Sequence, residues 1–116
     1  MEMEKIIAQV NDTFRREAMS GAKLSMPGMI VATRRVQALP EAVQRRIFAA
    51  IRDYDGFDDG NDQFPDEHES GQFSINEELF AWKIDWIADP TGIVLPEKWK
   101  PETFFRVLTI MFARED

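Results

Sequence analysis

The chain of 116 residues contains no cysteine, and histidine occurs only once, at position 68. The absence of cysteine excludes disulfide bonds, thiolate metal ligands and cysteine nucleophiles. A single histidine cannot supply the two-histidine ligand sets of common zinc and iron centres. Any reactive chemistry must therefore come from carboxylates, basic groups, hydroxyl groups and one imidazole.

Long apolar runs are missing as well. A membrane span needs about 20 consecutive apolar residues, whereas the stretch from Val107 to Ala113 is short and is interrupted by Thr109. The first four residues, Met-Glu-Met-Glu, are acidic and lack the basic start of a secretory signal. We therefore expect a cytoplasmic protein with no membrane partner.

The first half of the chain shows two helical patterns and one strand. Apolar residues at helical spacing predict a helix over residues 4–18 with Arg15 and Arg16 on its outer side. Pro27-Gly28 signals a turn before a short strand at residues 29–33. A second helix opens at Pro40, and its apolar stripe runs from Val43 through Ile47, Ala50, Ile51 and Tyr54.

The second half changes to the period of a β-strand. Residues 72–75 and 80–86 alternate between apolar and polar side chains around a tight turn at residues 76–78, which predicts an antiparallel hairpin. We expect Trp82 and Trp86 to face the core. Residues 102–114 fit either a helix or a strand, and the spacing of Phe104, Val107, Leu108 and Met111 favours a helix.

Together these elements predict a single α+β domain over residues 1–116. A small antiparallel sheet, made of the hairpin and a short strand, would pack against two or three helices. The composition, with 44% hydrophobic and 30% charged residues, is that of a globular chain rather than a disordered one.

Charge is distributed unevenly along the chain. The formal net charge is −7, yet residues 1–52 carry an excess of four positive charges. Residues 53–82 hold ten acidic residues and no lysine or arginine. Like charges at this density repel one another, so this segment costs stability unless something offsets it. Three interpretations are open: a solvated loop, a cation site, or a docking surface for a basic partner.

The cation interpretation has partial support in the spacing. A twelve-residue frame from Asp58 places Asp62 at position 5 and Glu69 at position 12, but Gly60 and Gln63 occupy positions that an EF-hand gives to an oxygen ligand and to glycine. An EF-hand is therefore excluded. An irregular metal site remains an alternative, with Asp62, Glu67, His68 and Asp85 as its ligands.

Other side chains have both structural and functional interpretations. His68 lies between two glutamates and can anchor the loop by hydrogen bonds or act in proton transfer. Lys83 and Asp85, on the polar side of the hairpin, form either an ordinary salt pair or part of an active site. Trp99, between two lysines, is a candidate exposed anchor. The acidic net charge makes direct binding of nucleic acid an unfavoured interpretation.

Several strings resemble an uncharacterised domain family whose members are common on bacterial plasmids and other mobile elements. They are the segments 61–71, Trp-Lys-Ile-Asp at 82–85 and Arg-Val-Leu-Thr-Ile-Met at 106–111. Residues 11–12, 14–15 and 38–40 fit the same pattern. The family loop runs Asn-Asp-Pro-His-Gly-Glu-His-Asp-Phe-Gly. Here one histidine of that loop is lost and one residue is added, which weakens a metal site.

Two functions follow from these patterns and from the resemblance. The first is a binding protein, comparable to anti-CRISPR and other anti-defence inhibitors of mobile elements, that docks on a basic host protein or nucleoprotein without a cofactor, as a monomer or homodimer. Its contact residues would be Asp55, Asp58, Asp59, Asp62, Asp66, Glu67, Glu69 and Trp99. The alternative is a small metal-assisted enzyme or cation-binding domain, with its site at the loop–hairpin junction. We expect the binding protein rather than the enzyme.

Overall fold

The computed structural model describes residues 2–57, 67–87 and 104–115. Within these ranges the chain forms three α-helices, four strands and a closing 3₁₀ turn. In chain order they are α1 (Glu2–Ser20), β1 (Gly28–Ala32), α2 (Arg34–Gln37), α3 (Glu41–Arg52), β2 (Ser70–Ile75), β3 (Glu78–Ile87), β4 (Phe105–Phe112) and the 3₁₀ turn (Ala113–Glu115). None of the helices in these ranges combines the length and the apolar character that crossing a bilayer requires.

The four strands form one sheet in the order β1-β4-β3-β2. The α+β class is confirmed, and the sheet is mixed, because β1 runs parallel to β4 while the other pairs are antiparallel. Parallel pairing needs a long connection between the two strands, and here α2, α3, β2 and β3 all lie between them in the chain.

The helix favoured for residues 102–114 is wrong, because Phe105–Phe112 forms strand β4. Its buried side chains alternate at Arg106, Leu108 and Ile110, each fully buried. An arginine at one buried position hides this alternation in the sequence. The β-branched and aromatic residues of the segment fit the pleated surface between β1 and β3.

The predicted hairpin is confirmed as β2 and β3. Asn76 and Glu77 both have positive φ, 52° and 69°, as a two-residue type I′ turn requires. Phe80, Trp82 and Ile84 are buried against the helices as expected. Trp86 is 36% exposed, so its assignment to the core is wrong. It lies near the end of β3 and stacks on Phe104, with ring centroids 4.6 Å apart.

Helix α1 is confirmed, but its buried face differs from the predicted one. Ile6 is exposed, whereas Arg15 is fully buried, so the placement of Arg15 on the outside is wrong. The buried positions follow the helical repeat with polar side chains at its centre: Ala8, Asn11, Phe14, Arg15, Ala18 and Met19. Asn11 and Arg15 can be buried because backbone carbonyls and other side chains form hydrogen bonds with them there.

Helix α3 and a close helix–strand contact complete the core. Ile47 and Ile51 of α3 are fully buried, as the apolar stripe predicts. Phe14 packs directly on the backbone of β1, where a Cβ at Gly28 would overlap the phenyl ring. These contacts hold α1 and α3 against one face of the sheet.

Candidate functional site

Arg15 joins α1 to the end of α3. Its Nε donates to the Ile51 carbonyl at 2.9 Å, and its two terminal nitrogens bind Asp12 at 2.7 Å and the Tyr54 carbonyl at 3.4 Å. Burial lowers the pKa of Arg15, while the hydrogen bond and the charge of Asp12 act in the opposite direction. Arginine remains charged at neutral pH, so this is a buried cation whose three nitrogens all have partners within the protein.

Asn11 and Arg106 form a second buried link, from α1 to β4. Arg106 Nε donates to the Asn11 side-chain oxygen at 2.8 Å, and one of its terminal nitrogens donates to the Phe104 carbonyl at 3.2 Å. The amide nitrogen of Asn11 donates to the Glu67 carbonyl at 2.9 Å. The Asn11 side chain therefore ties the strand and the start of the hairpin to the same helix.

Asp12 and His68 form the only part of this network that reaches solvent among the described residues. Both oxygens of Asp12 lie close to His68 Nδ1, at 3.0 and 3.1 Å. An ionised carboxylate only accepts hydrogen bonds, so the proton of the neutral imidazole belongs on Nδ1. The side chains of His68 and Asp12 are 29% and 18% exposed. We call Asn11, Asp12, Arg15, His68 and Arg106 the polar cluster.

Aromatic rings surround the polar cluster. His68 stacks on Phe57, with centroids 3.9 Å apart and an interplanar angle of 3°. The Arg15 guanidinium carbon lies 5.4 Å from the ring centroids of Phe57 and of Trp82, a cation–π arrangement. Trp82 is edge-on to Tyr54. The rings beside Arg15 keep its guanidinium away from water, which strengthens its hydrogen bonds.

Three features, at His68, Trp82 and Gly71, show how tightly this region is built. His68 has a φ of 54°, a conformation that costs free energy in any residue other than glycine. The Trp82 indole nitrogen is buried without a hydrogen-bond acceptor among the described residues. A Cβ at Gly71 would overlap this nitrogen and the ring of Tyr54, so only glycine fits here.

The predicted docking residues lie partly outside the described residues. Asp58, Asp59, Asp62, Asp66 and Trp99 fall in ranges 58–66 and 88–103, of which nothing is described. Asp55 is exposed, and Glu67 and Glu69 are half-buried. Asp53, at the start of the acidic segment, pairs with Arg52 at 2.9 Å. The Arg52 hydrogen bond lowers the pKa of Asp53.

The proposed metal ligands are not brought together where they are described. His68 lies on the helix-covered side of the sheet, whereas Asp85 lies on the opposite face, because its neighbour Ile84 points to the helices. Asp62 lies outside the described residues. No group of three histidine or carboxylate side chains suited to a metal occurs in the described part of the chain.

Lys83 and Asp85 line a separate depression of about 430 Å³ on the open face of the sheet. Ser70 and Gln72 from β2 and Met111 from β4 also line it. The prediction that Lys83 and Asp85 share one surface is correct. The polar cluster lies on the other face and contributes nothing to this depression.

Sequence reasoning placed His68 in the site but missed Asn11, Asp12, Arg15 and Arg106. The available signal was their spacing, since Asn11 and Arg15 are four residues apart and point to one side of a helix. Both also occur in the segments that carry the family resemblance. Burial of an arginine contradicts the average behaviour of that residue, which is why its role was not recognised.

Comparison with known proteins gives one match. A family model described as a protein of unknown function, DUF3768, matches residues 32–115. The match includes His68, Trp82 and Arg106 and begins after α1. No curated protein and no solved structure matches the chain.

Proposed function

The chain belongs to the DUF3768 family of proteins of unknown function, and from that premise we propose that it is a small acidic binding protein. Its acidic segment, residues 53–69, would dock on the basic nucleic-acid-binding groove of a host protein complex. The proposed contact residues are those predicted from the sequence, with Trp99 as an aromatic anchor. The protein would act in the cytoplasm, without a cofactor and without binding nucleic acid itself.

One observation carries this proposal: described residues on both sides of the range 58–66 are bonded to the same helix. On one side, Arg15 of α1 binds the Tyr54 carbonyl at 3.4 Å. On the other side, Asn11 of α1 binds the Glu67 carbonyl at 2.9 Å. Asn11 and Arg15 are one helical turn apart. A charged segment held at both ends by a buried network is presented from a fixed base, which lowers the entropic cost of docking.

The charges near the segment also support docking. Arg15 bonds through each of its three nitrogens to Ile51, Asp12 and Tyr54, so its charge is held within the fold. Asp55 is exposed. Asp53 is the exception, since Arg52 neutralises it in part. A carboxylate surface of this kind matches lysine- and arginine-lined grooves, and charge complementarity raises the rate and specificity of association.

An acidic docking segment also indicates the kind of partner. Proteins that process nucleic acids carry basic grooves, and an acidic protein that occupies such a groove blocks the natural ligand. We therefore propose an inhibitor of host defence, of the anti-CRISPR kind. Among the possible basic partners we propose defence complexes, because the family that this chain resembles is associated with mobile elements.

Charge reversal tests the proposal. The variant carries lysine in place of Asp58, Asp59, Asp62 and Asp66, and the control carries lysine in place of Glu2, Glu4, Glu102 and Asp116. Each variant changes the formal net charge from −7 to +1. Affinity capture from host lysate should retain a basic nucleic-acid-binding protein with the wild type and the control but lose it with the first variant. Equal capture by both variants would refute the proposal.

A second candidate rests on the Asp12–His68 contact. A carboxylate on Nδ1 orients the imidazole and leaves Nε2 as the acceptor, the arrangement used by metal-ligating and proton-transferring histidines. The function would then be that of a small enzyme or cation-binding domain at the loop–hairpin junction. Arg15 fixes Asp12 and so orients the pair.

Thermal unfolding with added Ca²⁺, Mg²⁺, Mn²⁺ or Zn²⁺ tests the metal version. An ion that binds the folded state raises the melting temperature. The rise should vanish in His68→Phe, which retains the stacked ring but has no ring nitrogen. An unchanged melting temperature with all four ions, or a rise that persists in His68→Phe, would eliminate His68 as a ligand.

A further inference from the structure

The open face of the sheet carries a depression that the proposed function does not use. Its volume is about 430 Å³, within the range of small-molecule sites. Side chains of successive strand residues point to opposite faces of a sheet. Because Trp82 and Ile84 are buried against the helices, the residues of β3 that line the depression with their side chains are Ala81, Lys83 and Asp85.

A small residue among larger ones creates the depression. Ala81 lies between Met111 of β4 and Gln72 of β2 in the register of the sheet, and between Leu79 and Lys83 along β3. All four neighbours have longer side chains, so the surface is lowest over the methyl group of Ala81. Ala81 and Met111 are both buried, and they give this part of the depression an apolar lining.

The hydrogen bonds of the hairpin bring Ser70 next to Lys83. The Ile84 amide donates to the Glu69 carbonyl at 2.7 Å, so Glu69 and Ile84 form a hydrogen-bonded pair. Such pairs alternate along an antiparallel ladder, and Ser70 and Lys83 are therefore a non-hydrogen-bonded pair. The side chains of these pairs approach most closely, which places a hydroxyl group beside the Lys83 side chain.

Opposite charges border the depression. Lys83 and Asp85 are two residues apart on one side of β3, with about 7 Å between their Cα atoms. Asp85 is exposed, and the two side chains do not pair with each other within the described range 67–87. Glu69 also borders the depression, but the alternation of the strand turns its side chain toward the helix-covered face.

These charges favour a ligand that carries both signs. An anion bound to Lys83 is repelled by Asp85, and a cation bound to Asp85 is repelled by Lys83. A compact zwitterion is attracted by both residues at once. The apolar lining at Ala81 and Met111 favours an uncharged hydrocarbon group on the same molecule.

We propose that the depression binds a free α-amino acid with an apolar side chain. Its carboxylate accepts hydrogen bonds from the Lys83 ammonium and the Ser70 hydroxyl, and its ammonium donates to the Asp85 carboxylate. Its side chain lies over Ala81 and Met111. Neither Lys83 nor Asp85 belongs to the polar cluster or to residues 53–69, so this site stands or falls independently of the proposed function.

Leucine and two derivatives test which charges the ligand needs. N-acetyl-L-leucine lacks the ammonium and L-leucinamide lacks the carboxylate. Water screens charges at an open site, so leucine should bind with a dissociation constant of about 1 mM. Each derivative should bind about tenfold more weakly, because it loses one charged hydrogen-bonding group. The measurement is an NMR titration that follows the amide signals of Ser70, Gln72 and Lys83. Unchanged signals at about 10 mM leucine, or equal binding of leucine and either derivative, would overturn the proposal.

Two substitutions test the residues. Ala81→Leu fills the depression and leaves its polar groups in place, so leucine binding should be lost. Asp85→Asn, at an exposed position, should weaken leucine binding about tenfold but should not weaken binding of N-acetyl-L-leucine, which has no ammonium. Glu78→Gln is the control, since it makes the same change of charge at an exposed residue at the other end of β3. Circular dichroism checks that each variant is folded. Equal leucine affinity of Asp85→Asn and Glu78→Gln would overturn the proposal, as would wild-type affinity in a folded Ala81→Leu.

Discussion

Two arginine–aspartate pairs lie near residues 51–54, at the end of α3. One pair is buried and the other is exposed. Arg15 and Asp12 are 2.7 Å apart with side chains 1% and 18% exposed, whereas Arg52 and Asp53 are 2.9 Å apart with side chains 42% and 67% exposed. Arg15 binds the carbonyls of Ile51 and Tyr54, the two residues that flank the outer pair. Arg15, from the buried pair, thus holds residues 51–54 in place, and this segment includes the exposed pair Arg52 and Asp53.

The difference shows what burial adds to an ion pair. An exposed pair is screened by water and contributes little. A buried pair stabilises a fold only when every donor has a partner, and removal of one member leaves a buried charge alone. In this protein Arg15 and Arg106 are buried with internal partners, whereas Asp53 and Asp55 are exposed. Four predictions test this comparison, from the largest expected effect to the smallest.

Arg15→Ala should destabilise the protein most. It removes the donors to two carbonyls and leaves Asp12 partly buried without its cation, a loss of about 3–5 kcal/mol in the free energy of unfolding. Arg16→Ala, one position along on the exposed side, should change it by about 0.5 kcal/mol or less. Urea denaturation of both variants measures the difference, and similar midpoints would show that Arg15 is not a structural anchor.

Asn11→Leu should have the next largest effect. It leaves Arg106 Nε and the Glu67 carbonyl without the amide that joins them, which should cost about 1–3 kcal/mol. Thr13→Ala, on the exposed side of the same helix, is the control. Hydrogen exchange should also show faster exchange at Glu67 and His68 in Asn11→Leu, and protection equal to that of the wild type would contradict the anchoring role.

His68→Ala should cost about 1–2 kcal/mol, because it removes the Asp12 hydrogen bond and the stacking on Phe57. His68→Phe keeps an aromatic ring and should recover part of this loss. Denaturation midpoints at neutral pH separate the two contributions. If the phenylalanine variant is no more stable than the alanine variant, the stacked ring does not stabilise this turn.

Asp53→Asn should have the smallest effect, since the pair with Arg52 is exposed. The pKa of Asp53 is lowered in the folded state by the Arg52 hydrogen bond, so the unfolded chain binds its proton first as the pH falls. Any stabilisation is present at neutral pH and disappears in acid as the carboxylate is protonated. The difference between the midpoints of wild type and variant should therefore be small at pH 7 and vanish in acid. A difference that grows on acidification would contradict the sign.

The regular elements could be predicted from the sequence because local patterns specify them. Periodicity gave α1, α3 and the hairpin, and the Asn76-Glu77 turn followed from its position between alternating strands. Strand β4 was mistaken for a helix because Arg106 occupies a buried position that alternation reserves for apolar residues. Helix α2, a single turn capped by Thr33, was too short to leave a periodic signal.

The site was harder to predict because its contacts join distant parts of the chain. Arg106 and Asn11 are 95 positions apart, and His68 and Asp12 are 56 apart. The sequence singled out His68 and assigned its partners to neighbouring glutamates, but the partner is Asp12 of α1. No local pattern encodes such a pair, since it depends on how α1 packs on the sheet.

The salt dependence of the affinity for the captured partner tests the central claim most directly. The dissociation constant is measured against sodium chloride concentration for the wild type and for a variant with asparagine in place of Asp58, Asp59, Asp62 and Asp66. If the acidic segment makes the contact, affinity falls steeply with salt for the wild type and much less for the variant. Equal slopes for the two proteins would place the contact elsewhere on the molecule and contradict the account.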